Sequence, residues 1–217
     1  MVPASQLIAR PVVTRRSSTE RWPWPHQVGP AVVQIWGDVS ALDVGTILAT
    51  IASYNSLEEG GDAREVLARL VAQGRDDAHF AERGSQLVSG GIELIAAGST
   101  LVSPGCCCGV EYWRDWLDPG VEGFHPWCGH DPDGFFEHRP GGVMAIGYTA
   151  EDAVEVELAG LQRAVLAIEP ALRGFLPALR RWCGEVAPEL SDGVVGVVEG
   201  VFALRPPAPQ ASDEDDG

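Results

Sequence analysis

Apolar positions along this chain recur at intervals of two in some stretches and three to four in others, and those intervals mark out the elements. Ala31 to Trp36 alternates in the manner of a short strand. Ser40 followed by Asp43 reads as a helix start, leading into Val44, Ile47, Leu48 and Ile51 at helical spacing. Asp62 opens a second helix with Val66, Leu67, Leu70 and Val71 on one face. Gly91 to Val102 alternates on both sides of Gly98-Ser99 and predicts a β-hairpin. Val110 to Leu117 predicts a short helix with Val110, Trp113 and Leu117 on a common face. A second hairpin is expected from Phe135–Glu137 and Val143–Tyr148 around Pro140-Gly141-Gly142, and Val154, Val156 and Leu158 alternate as a strand or helix entry.

The last third reads as helical. Leu161 to Glu169 is expected to stop at Pro170, and Ala171 to Cys183 follows with Leu172, Phe175, Leu176, Leu179 and Trp182 on one face. Pro188 to Leu204 makes a weaker third helix because Gly193, Gly196 and Gly200 lower its propensity. Helices, hairpins and helices again predict an α+β fold: small antiparallel hairpins or a sheet packed against helices, with a helical C-terminal third.

Composition adds boundaries to that outline. Residues 1–30 are rich in Pro and Arg and include Trp22-Pro23-Trp24-Pro25, which predicts an extended arm with its two tryptophans docked on the body. Residues 31–205 form a single α+β body, and residues 206–217, ending in Asp213-Glu214-Asp215-Asp216, are expected to be a disordered acidic tail. With 45% hydrophobic residues the body can bury a core without disulfides. The net charge of −16 opposes phosphate backbones and argues against direct nucleic-acid binding; it suits a basic protein partner, or simply solubility. No stretch has the length of a membrane span or the form of a signal peptide, and five cysteines do not make a paired secreted framework. The expectation is a cytoplasmic protein with reduced thiols. Lysine is absent, which removes Schiff-base and P-loop lysine chemistry from the chain itself.

The candidate chemistry is concentrated in one region. Pro104-Gly105-Cys106-Cys107-Cys108-Gly109 is followed by Val110 to Leu117 and then by Phe124-His125-Pro126-Trp127-Cys128-Gly129-His130-Asp131-Pro132. Cys106, Cys108, Cys128 and His130 (with His125 as a variant ligand) offer the sulfur and nitrogen donors that zinc prefers, and Cys106 and Cys108 share a side if the triplet is extended. Cys108 ahead of a helix start also suits a nucleophilic thiol, with His125 or His130 as base and Asp131 to orient it. The Cys108-to-Arg114 spacing matches a phosphate-binding loop, but Glu111, Tyr112 and Trp113 stand where small residues and bare amides are needed. The plainest alternative makes the cysteines space-filling residues of a tight turn and His130-Asp131 a turn packed on Trp127.

The run from Pro104 to Glu111, Trp113-Arg114-Asp115-Trp116 and Gly129-His130-Asp131-Pro132 resembles a pattern in uncharacterised actinobacterial proteins, as does Leu172 to Trp182. The resemblance, over about residues 85–185, implies one body of a common type and carries no catalytic role. Two functional classes follow from the residues. One is a protein-binding module, immunity- or antitoxin-like or regulatory, contacting a partner through Trp113, Trp116, Trp127, Glu111, Asp115 and Asp131, flanked by Asp118 and Glu122. The other is a zinc-binding or thiol-dependent enzyme or sensor built on Cys106, Cys108, Cys128 and His130.

Overall fold

The strand nearest the start of the chain lies inside a sheet, not on an arm. A computed structural model of the protein describes residues 6–15, 21–57, 60–74, 88–131 and 133–204. The expected tail and Pro132 lie outside the described residues. Strand β1 (Leu7–Arg15) is flanked by β2 (Ala31–Gln34) and β3 (Gly90–Ala96), and β4 (Ser99–Val102) completes an antiparallel sheet of order β2-β1-β3-β4. Residues 7–15 are extended, as expected, but they join the body as one of its inner strands. Pro11 is tolerated there because its carbonyl, and hence its missing N–H, faces β2 just beyond the last register pair, Val12 with Gln34. The Pro11 carbonyl still accepts from the Ile35 amide at 2.9 Å.

Alternation along β1 gives the sheet two faces. Leu7, Ala9 and Val13 join Ile92, Leu94 and Ala96 in the core, against α1 (Ala41–Tyr54) and two later helices. On the other face Arg10 sits directly across from Glu93, whose carboxylate takes the guanidinium at 2.6 Å. The second oxygen of Glu93 accepts from the Thr100 and Ser103 hydroxyls at 3.3 Å, so this part-buried charge is fully engaged. Ala97 and Gly98, both at positive φ, make the β3–β4 turn, one residue earlier than the alternation suggested.

Helix α1 starts after Ser40, as expected; Ser40 and Asp43 form a capping box there, and the helix is buried on every side from Val44 to Ala52. Trp22 stacks on Trp24, whose indole N–H donates to the Gly45 carbonyl at 2.9 Å; both tryptophans are docked. Helix α2 (Ala63–Gly74) starts at Asp62 as expected, with the Asp62 carboxylate accepting from the Glu65 amide. A second antiparallel sheet, β5 (Phe135–Arg139), β6 (Val143–Gly147) and β7 (Val154–Glu157), runs straight into α3 (Leu158–Leu166).

The C-terminal region is helical, and the α+β reading holds. Helix α4 (Ile168–Val186) starts before Pro170 instead of after it. Proline in the first turn removes an N–H that has no helical partner there, so it stops nothing. A 3-10 turn, Pro188–Leu190, leads to α5 (Ser191–Val201). Gly193 has a use in α5: a Cβ there would meet a Val71 methyl at 2.8 Å, so its absence lets α5 pack closely on α2.

Candidate functional site

The cysteine loop is fixed to the sheet and to the histidine segment by its backbone. Leaving β4, the chain runs back beside the start of β3, where Ser89 bridges Gly109 and the Gly90 amide donates to the Cys108 carbonyl at 3.1 Å. The Gly105 amide then donates to Cys128 at 2.7 Å, and Cys106 and His130 form an isolated antiparallel bridge. Gly129 makes this approach feasible. Its φ is +91°, and a Cβ would stand 2.2 Å from the Cys106 carbonyl oxygen. The two cysteine- and histidine-bearing segments therefore do fold together.

Cys107 decides which sulfur joins the histidine. Its φ of +60° is left-handed, uncommon for a non-glycine residue, and it ends the extended geometry that would have paired Cys106 with Cys108. The Cys107 carbonyl accepts from the Trp127 indole at 3.0 Å, and the same indole meets the His130 ring edge-on at 4.9 Å between centroids. One tryptophan thus steadies both sides of the site. The thiol sulfurs of Cys106 and Cys107 and one imidazole nitrogen of His130 lie within 4.8 Å of one another. Cys106 is half-buried; Cys107 and His130 are exposed.

Cys108 and Cys128 are not part of that set. Both point into the protein, each 2% exposed, with the Cys108 thiol donating to the Trp127 carbonyl and the Cys128 thiol to Pro126, both at 3.4 Å. Burial pushes the Cys108 thiol up to about 12, reinforced by the Glu111 carboxylate, and burial likewise raises Cys128. Such thiols are poor nucleophiles, which removes the support for Cys108 as an activated residue. All five cysteines are thiols, and none is in a disulfide.

The expected protein-contact surface loses two of its three tryptophans to the core. Trp113 and Trp116 are each 1% exposed. They lie on the inner side of the 3-10 helix Val110–Trp116, where the Trp113 indole donates to the Phe202 carbonyl at 2.9 Å. Trp116 packs edge-on against Phe124 and Phe136. Burying each removes on the order of 200 Å² from water, about 5 kcal/mol of transfer free energy, which favours core over interface. Glu111 is half-buried, folded back over Gly109; Asp115 accepts from the Trp127 amide; Asp131 is exposed beyond the bridge. Arg114 lies over the Trp113 ring and donates to the Ala203 carbonyl at 2.6 Å, so it is committed to packing and does not close a phosphate loop with Cys108. His125 pairs with Asp133 at 3.9 Å, and His138 bonds the Pro119 carbonyl at 2.9 Å.

Sequence reasoning named Cys106 and His130 and missed Cys107 as a donor. The only available signal was the triplet itself, since a left-handed turn at a cysteine leaves no mark in hydrophobic periodicity. No family model matches the chain, and neither a curated protein nor a solved structure does. Among the described residues, no helix is long and apolar enough to cross a membrane.

Proposed function

We propose that the protein binds a thiophilic metal ion, zinc first, through Cys106, Cys107 and His130, with a fourth coordination position open to solvent. The observation that carries this is the convergence of two sulfurs and one imidazole nitrogen within 4.8 Å of one another. Donors about 2.3 Å from a tetrahedral ion stand about 3.7 Å apart, so small side-chain rotations complete the set. Sulfur and imidazole favour zinc over calcium or magnesium, whose ligands are oxygens. Structural zinc is enclosed by four protein ligands; three donors at a surface leave a place for water or for a donor from a partner protein. That open place is where a metal function and a protein-binding role meet.

The support is stronger for a sensor or metal-dependent binding module than for an enzyme. Neither the cavity of about 280 Å³ between Trp113, Leu117, Val165 and Arg173 nor the open one of about 540 Å³ between Gly142, Glu157 and Gln162 is lined by any of the three donors. Two accessible thiolates require a reducing compartment, so the reading implies the cytoplasm.

Elemental analysis of the full-length protein after zinc reconstitution tests it. The expected result is about one zinc per chain, lost in Cys106→Ser, Cys107→Ser and His130→Ala while circular dichroism stays unchanged. Reconstituted wild-type protein without zinc, or zinc retained in a Cys106→Ser/Cys107→Ser double variant, overturns the proposal.

A further inference from the structure

We infer that Cys106 and Cys107 are also a redox couple: a hydroperoxide oxidises them to a vicinal disulfide, which withdraws both sulfur donors from the site shared with His130. The inference rests on the reading of these two thiols as paired donors, and it concerns the regulation of that same site.

Adjacent cysteines in a regular strand point to opposite faces and cannot meet. Here the left-handed Cys107 brings the two sulfurs to one side, within 4.8 Å. No other thiol competes for either of them. Cys108 and Cys128 are turned inward onto the Trp127 and Pro126 carbonyls, and Cys183 is buried in α4. Cys107 is exposed and Cys106 half-buried, so a small peroxide reaches both. Consecutive Cα atoms across a trans peptide stand about 3.8 Å apart, below the roughly 4.4–6.8 Å span usual for a disulfide. The resulting ring is strained and easily reduced, which is the character of regulatory disulfides, not structural ones.

The chemistry balances. The Cys107 thiolate attacks a hydroperoxide oxygen; an S–O bond forms, the O–O bond breaks, and the leaving oxygen takes a proton as water or alcohol. The Cys106 thiolate then attacks the sulfenic sulfur, forming the S–S bond and expelling hydroxide, which is protonated to water. Two thiols and one hydroperoxide give one disulfide, one water and one alcohol (a second water with hydrogen peroxide). The two sulfurs supply the two electrons.

The test uses the full-length, metal-free protein with stoichiometric hydrogen peroxide at neutral pH, then iodoacetamide without denaturant, then mass spectrometry. The expected product is a monomer lighter by two hydrogen atoms in which neither Cys106 nor Cys107 is alkylated. Dithiothreitol should restore both alkylation sites and full zinc uptake. Cys106→Ser should leave Cys107 as a sulfenic acid trapped by dimedone. Retained alkylation at one of the pair, or disulfide-linked dimers as the main product, overturns the inference. The two readings fail separately: a disulfide in a chain that takes up no zinc removes only the metal site, and zinc uptake without a disulfide removes only the redox couple.

Discussion

The amides of Cys106 and His130 each donate to the other's carbonyl, at 2.8 and 2.9 Å. Because this pairing is made by backbone, the distance between sulfur and imidazole is set before any ion arrives. Its weak point is the neighbouring glycine. Gly129→Ala forces a Cβ onto the Cys106 carbonyl at a left-handed position, and should cost about 2–4 kcal/mol of stability and weaken zinc uptake at least tenfold. Urea unfolding and zinc competition titrations measure the two effects; an alanine variant with wild-type values in both would refute this geometry.

Trp127 should report on the ion. Its indole contacts the His130 ring and holds the Cys107 carbonyl, so metal binding changes its surroundings directly. Zinc should shift or quench tryptophan emission in the wild type, and Trp127→Phe should lose most of that change while Trp22→Phe keeps it. A zinc response that survives in Trp127→Phe would count against His130 as a ligand.

The five thiols should divide into two groups under native alkylation. Cys106 and Cys107 react; Cys108, Cys128 and Cys183 stay protected until urea opens the fold, at rates lower by about 100-fold or more. Peptide mapping at timed quenches reads this out. Fast labelling of Cys108 would show that the triplet is turned differently.

Trp116→Ala should destabilise the protein by about 3–5 kcal/mol, because the ring fills the space between Phe124 and Phe136. Trp113→Phe keeps most of the apolar volume but leaves the buried Phe202 carbonyl without its donor, at about 1–3 kcal/mol. Denaturant midpoints decide between this core role and an interface role, in which stability would hardly move.

Burial pushes the Cys183 thiol from an ordinary 9.0 up to about 11, against a smaller opposing pull from Arg180. The folded state therefore keeps its proton where the unfolded chain has released it. This stability, on the order of 2 kcal/mol, is complete below pH 9 and drains away as pH rises toward 11. Unfolding of the reduced protein should show a wild-type advantage over Cys183→Ala at pH 7 that narrows above pH 9. An advantage that grows with pH would have the wrong sign.

The sequence was most readable where chemistry is local. Ser40 and Asp43 announced a helix start, Asp62 another, and the glycines after Pro140 their hairpin. Proline misled where its meaning depends on which side of the chain faces a partner. Pro11 disguised an inner strand as an arm, and Pro170 read as a stop while occupying a first turn. Trp113 and Trp116 lie in the core, not on a contact surface, and the apolar face shared by Val110, Trp113 and Leu117 was the signal for it. At the site, the density of sulfur and nitrogen donors was visible, but their partnership was not. It depends on a positive φ at Cys107 and on long-range backbone pairing, neither of which periodicity encodes.

The position of β1 bears on how the molecule is made. Its partner Glu93 lies 83 residues downstream of Arg10, so the opening segment leaves the ribosome long before the strand that must close over it. Until Ala96 has emerged, the nascent chain carries an apolar ribbon with one edge unclaimed.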